Sequence, residues 1–198
     1  DAPPKRRGVV ALLDRFAASH DNATAALAAF DKSALSLHAH GDLIDLSRAY
    51  LDAKRKTSHE ARRIEAWLSG TELARADADA PAFAALSPRT AKRALGELTR
   101  LVRMLGWRGT LAVFASAEVL ARLPEGRRED AYTVLRELID NADGGRGFVS
   151  MLSVVSGAAL LFDGARGLRS LAPLAMRIEA VAEGADEVPP PHRPIVDA

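Results

Sequence analysis

The stretch Gly106-Trp107-Arg108-Gly109-Thr110-Leu111-Ala112-Val113-Phe114-Ala115-Ser116-Ala117-Glu118 decides how the rest of the chain is read. Its middle, Thr110 to Ala115, is a short apolar run entered from glycine and left through a polar cluster, the pattern of a buried strand. Phe148 to Val155 has the same character. Between the two runs a helix is expected from about Arg127 to Ile139, with Ala131, Val134, Leu135, Leu138 and Ile139 as its apolar stripe. Asn141-Ala142-Asp143-Gly144-Gly145 then makes a turn. Strand, helix and strand in this order are a βαβ unit, whose strands run parallel.

Upstream the spacing is helical. Val9, Leu12, Leu13 and Phe16 recur at three and four residues, and Ala25, Leu27, Ala28 and Ala29 lead to Phe30, with Asp21 or Asn22 as cap. After the break at Gly41, Leu43, Leu46, Tyr50 and Leu51 share one helical face, and Asp42 and Asp45 suit the positive end of that helix. Ser58 to Leu68 continues with Ile64, Trp67 and Leu68 as its apolar edge. Ser87-Pro88 is a helix start, followed by the wide stripe Ala91, Ala94, Leu95, Leu98, Leu101, Val102 and Leu105, closed by Gly106. The fold class is therefore α/β and helix-rich: a helical amino-terminal half, then a small parallel-sheet region. The expected organisation is a polar lead at 1–7, a helical region at 8–86 with a linker at 71–86, an α/β region at 87–188 and an extended tail at 189–198.

Composition bounds the function. With 198 residues and 48% hydrophobic content the chain supports one substantial core and a small second lobe. A net charge of +1 argues against a generic polyanion binder, although ten basic residues against five acidic between Leu86 and Arg136 leave nucleic acid open as a partner. The absence of cysteine excludes thiolate nucleophiles, cysteine-ligated zinc and iron–sulfur clusters, and suits the cytoplasm. No run of 18 apolar residues occurs, so no membrane partner is expected.

In open parallel sheets chemistry sits beyond the carboxyl ends of the strands. Here those ends are Ala115-Ser116-Ala117-Glu118 and Ser156-Gly157-Ala158-Ala159. Nucleotide hydrolysis needs carboxylates to organise Mg²⁺ and polarise water, together with a GxxxxGK[ST] loop. The loop motif is absent from the sequence, and Glu118 is the carboxylate that remains. His38, His40 and Asp42 have metal-ligand chemistry, and a strand would put both imidazoles on one side. Without a third strong ligand they read as a polar turn, so no metal site is expected. Lys54-Arg55-Lys56 with Arg62-Arg63 reads as a solvated helix face, and Trp67 and Trp107 as packing residues at the core or its boundary.

These segments carry a resemblance. Trp67-Leu68-Ser69-Gly70, the helix Thr90 to Leu105, and Gly106-Trp107-Arg108-Gly109 ahead of a strand resemble the P-loop ATPases of BREX-type phage-defence islands. The likeness continues through Arg127–Tyr132, Leu135–Asp140, Phe162–Leu171, Pro173–Ala175, Arg177 and Pro191–Val196. In that family the strand corresponding to Thr110–Phe114 ends in Asp-Glu-x-Glu. The resemblance thus makes Ala115 and Ser116 a degenerate Walker B, missing the magnesium-organising Asp and the catalytic Glu, with Glu118 retained. Ala158 stands where a phosphate-sensing Thr is expected, and the phosphate loop and its strand are missing. The resemblance also places Arg166, Arg169 and Arg177 near a subunit or nucleotide edge, as contacts to nucleotide or partner. The missing strand would lie between the two that survive, and Ser33 to His38 is the candidate to replace it.

The resulting expectation is a non-hydrolysing, ATPase-like domain with no catalytic residues, serving as a protein-interaction or regulatory subunit with a protein partner. It needs no cofactor, and ATP and Mg enter only if an upstream segment supplies the loop. The alternatives are a fragment of an active P-loop ATPase whose phosphate loop lies upstream, and a helical adaptor.

Overall fold

Apolar residues three and four apart wind the first part of the chain into helices that bury one face each. The computed structural model describes residues 8–56, 58–69, 88–142, 147–162 and 165–179. The expected lead at 1–7, linker at 71–86 and tail at 189–198 lie outside the described residues. The chain divides into two compact units, Asp1–Thr110 with Arg146–Met151, and Leu111–Gly145 with Leu152–Ala198.

In the first unit, α1 spans Gly8–Ala18, α2 Ala23–Ser36, α3 Asp42–Lys56, α4 Ser58–Leu68 and α5 Pro88–Met104. Leu43, Leu46, Tyr50 and Leu51 of α3 are all buried, as their spacing requires, and pack with Val10, Leu13, Phe30, Ile64, Leu101 and Leu105 into one core. Asn22 caps α2, its Oδ1 accepting from the Ala25 N–H at 2.9 Å. The other end of α2 corrects one expectation. Ser33 lies in helix rather than in a replacement strand, and His38 adopts the left-handed conformation at φ 48. The His38 and Ala39 N–H groups donate back to Leu35 and Ala34 carbonyls, the bonding of a helix-terminating turn. Leu35 is therefore exposed on a helix end, and the two imidazoles do not share a strand face.

α3 begins by a route its own sequence does not contain. Glu97 of α5 is buried, and its Oε2 accepts from the Leu43 N–H at 2.9 Å. Arg93, one turn earlier on α5, reaches Glu97 at 3.5 Å and Asp42 at 2.6 Å. Gly41, at φ 129, lets the chain pass against Glu97; a Cβ there would lie 2.8 Å from Oε2. Two positions on, the buried Thr99 hydroxyl donates to the Gly96 carbonyl at 2.8 Å and accepts from the Val149 N–H at 3.0 Å. α5 thus anchors both α3 and the segment leading into the second strand.

The second unit holds most of a two-stranded sheet, β1 (Thr110–Phe114) beside β2 (Met151–Val155). Thr110 N–H donates to Ser150 carbonyl and Ser156 N–H to Phe114 carbonyl, so both chains advance in the same direction and the sheet is parallel. The strands pair directly with each other, with no strand inserted between them. The fold class is α/β and helix-rich. α6 spans Glu125–Ala142 between the strands; α7 (Ala159–Phe162) and α8 (Ala172–Glu179) follow.

Two expectations shift here. Leu111 and Leu152, at 62% and 64% exposure, and Val113 and Val154 lie exposed, so the strands are not buried on both faces. With alternation of period two, one face is sheltered and the other open. The buried face of α6 is Tyr132, Leu135 and Leu138, while Val134 and Ile139 are exposed. Tyr132 draws the helix round, because its hydroxyl donates to the Arg166 carbonyl at 2.7 Å.

Candidate functional site

The carboxyl ends of β1 and β2 meet in one tightly bonded corner. β1 runs out at Phe114; Ser116 turns the chain in the left-handed conformation (φ 56, ψ 37), and a short 3-10 helix covers Ala117–Arg122. The Ala117 N–H donates to the Ser156 carbonyl at 3.0 Å, and the Ser156 N–H to the Phe114 carbonyl at 3.0 Å. This reciprocal pair joins the turn after β1 to the end of β2.

Glu118, in the first turn of the 3-10 helix, crosses the corner. Its Oε2 accepts from the Ala158 N–H at 3.3 Å, just ahead of α7. Gly157 makes this approach possible, since a Cβ there would lie 3.0 Å from both the Glu118 N and its Oε2. Glu118 forms no ion pair among the described residues. The corner therefore offers Ala115 as a methyl, Ser116 as a hydroxyl on a strained turn, and one carboxylate already engaged by backbone. Such a set can accept a hydrogen bond and orient a polar group, but among the described residues it has no carboxylate pair to hold Mg²⁺ or to polarise water. Among the described residues no cluster of three metal-ligating side chains occurs.

The three arginines have different settings. Arg177 is held in a fork by both Asp140 oxygens, its Nη2 at 2.9 Å from Oδ2, and its Nη1 donates to the Pro173 carbonyl at 2.6 Å. The Arg177 hydrogen bond holds the Asp140 carboxyl below its ordinary range, and Asp140 raises Arg177 in return. Arg177 is thus engaged in a surface ion pair. Arg166 and Arg169 are exposed around the short 3-10 turn Leu168–Ser170, and Arg166 contributes its carbonyl to Tyr132. Burial pushes the Tyr132 hydroxyl up, with Arg128 opposing.

Sequence reasoning found Ala115, Ser116 and Glu118 but missed the bond from Ala158 and the role of Gly157. A glycine two residues past a strand, facing a carboxylate distant in sequence, had no local signature.

The elements around this corner are those of a helix-rich α/β protein with its candidate site at the carboxyl ends of parallel strands. The chain belongs to the family of BREX system ATP-binding proteins BrxC/D, whose model matches residues 17–197. No curated protein and no solved structure matches it. Among the described residues no helix is long and apolar enough to cross a membrane.

Proposed function

We propose that this chain is a non-hydrolysing ATPase-like domain of a BREX phage-defence system, working as a protein-interaction or regulatory subunit. One observation carries the reading: Ala115 and Ser116 occupy the strand end where magnesium and water would need carboxylates, while Glu118 is engaged by the Ala158 N–H. A loop supplied from elsewhere would bring ATP to this corner without the groups that organise its metal and water, so nucleotide could be held but not turned over. This weighs against the active-fragment alternative.

The exposed sheet face supports a protein partner. Leu111, Val113, Leu152 and Val154 form an open apolar surface, and among the described residues each strand pairs only with the other. Parallel sheets are ordinarily covered on both faces, and open strand edges invite pairing. A partner that covers this face and adds to an edge resolves both.

The test is phosphate release from MgATP by the chain and by its Ala115→Asp/Ser116→Glu variant, alongside thermal shift with millimolar MgATP. The reading predicts no release by the unchanged chain. Release that disappears in Glu118→Gln would overturn it in favour of an active ATPase.

A further inference from the structure

Basic side chains outnumber acidic ones along α5 and the turn that follows it. Residues 88–109 contain six basic side chains against one acidic, Glu97, although the whole chain carries only +1. Glu97 is buried and committed to Leu43 and Arg93, and Arg93 also pairs with Asp42, so the charge beside the turn after α5 comes from Arg103 and Arg108.

The helix ends in a rigid turn. Gly106 takes φ 88, its N–H donates to the Arg103 carbonyl at 3.1 Å, and the Trp107 N–H donates to the Val102 carbonyl at 3.2 Å. That double bond pattern fixes the position of Trp107. Arg103 curls over the turn, its Nη1 donating to the Trp107 carbonyl at 2.8 Å and the Arg108 carbonyl at 2.9 Å. From α1, the Arg15 guanidinium sits 4.9 Å from the centre of the Trp107 ring. The indole keeps 38% of its surface exposed, and Arg108 beside it is exposed too. Among the described residues, Arg15, Arg103 and Arg108 pair with no carboxylate. All four residues lie in the first unit.

We infer that Arg15, Arg103, Trp107 and Arg108 form a binding surface for single-stranded nucleic acid. Three arginines that pair with no carboxylate among the described residues supply the backbone contacts, and a pre-positioned, partly exposed indole supplies a face on which an unpaired base stacks. Arg15 contributes twice, holding one part of the ring by cation–π attraction and presenting charge to phosphate. A duplex buries its base faces in the internal stack, so the indole favours unpaired strands. An acidic protein would use the charges but gain little from the ring. The surface precedes β1 in the chain, whereas the degenerate corner follows it, and the inference does not rest on the function proposed for that corner.

The experiment is anisotropy titration of labelled dT20, rU20 and a 20-base-pair duplex with the 198-residue chain. In a Trp67→Phe background, fluorescence quenching is read in parallel, because Trp107 is then the remaining tryptophan. Expected are saturable quenching by dT20 and a log–log salt slope of about −2, for about three phosphates neutralised. Trp107→Ala should weaken binding by about fivefold or more, as loss of one stacking platform requires. Arg15→Glu and Arg108→Glu, taken singly, should each weaken it by about threefold or more and together by about tenfold or more, while Arg62→Glu, a charge change on α4 equal to either single one, should alter it less than about twofold. Trp107→Phe, which keeps an aromatic face, should retain most of the affinity, separating stacking from a folding defect. Comparable binding of rU20 supports a site that reads strand and base faces rather than the sugar. Absence of binding at 50 mM salt, binding without quenching, tighter binding of the duplex, or equal displacement by poly-glutamate would overturn the inference.

Discussion

Glu97 joins α5 to the start of α3, and its removal tests the packing logic of the first unit. Glu97→Ala takes the acceptor from the Leu43 N–H and the buried partner from Arg93, which keeps Asp42. Loss of a helix cap costs about 0.5–2 kcal/mol, and a buried donor left unpaired about 1–3 kcal/mol. The two overlap in the same N–H, so the expected loss is about 2 kcal/mol. Glu97→Gln keeps an acceptor and should lose about 1 kcal/mol. Gly41 gives the sharper test, because a Cβ there collides with the Glu97 carboxylate and the φ of 129 is strained for any other residue. Gly41→Ala should therefore cost more in the unchanged chain than in the Glu97→Ala background, where only the φ strain remains. A coupling of about 1 kcal/mol is expected between such neighbours. Urea titration followed by tryptophan fluorescence reads this directly, since Trp67 and Trp107 both belong to the first unit. A loss below about 0.5 kcal/mol for Glu97→Ala, the level of an ordinary surface change, would refute the assignment. Equal Gly41→Ala costs in both backgrounds would refute the contact.

Thr99→Val keeps the shape but removes the bonds to Gly96 and Val149, and a loss of about 1–2 kcal/mol is expected, with faster hydrogen exchange at Val149. Gly109→Val places a side chain against the Ser150 carbonyl, so the Thr110–Ser150 bond should open and the protection of the Thr110 amide should fall. Asp140 is held below its ordinary value by Arg177, so their pairing stabilises above the unfolded carboxylate value, about 4, and is lost as pH falls through the lower folded value. Asp140→Asn should remove that acid-side dependence, seen in melting curves between pH 2 and pH 5.

The helices and strands were legible because local spacing dictates them. The reading of Ser58–Leu68 coincides with α4, and the stripe through Leu101, Val102 and Leu105 marks the core face of α5. Gly106 stops α5 as its φ of 88 allows. What was not legible depends on partners far away in sequence. Glu97 looks like one surface charge in an amphipathic helix until α3 places the Leu43 N–H against it. Ser33 to His38 reads as a strand, but the helix runs to Ser36 and the return bonds to Leu35 and Ala34 make the segment a helix end. Sheet burial was overestimated because a short apolar run shows that both faces of a strand are apolar, not that another layer covers each of them. At the candidate corner the missing carboxylates were visible in Ala115 and Ser116, while the engagement of Glu118 needed the backbone of Ala158 brought beside it.

The central claim, that the corner retains its scaffold without hydrolytic chemistry, is tested most directly by phosphate release from MgATP by the polypeptide as its host expresses it. With nucleotide occupancy followed in the same sample, the account predicts no release above buffer, whether or not ATP is held. Steady turnover by that polypeptide, abolished by Glu118→Gln, would contradict it.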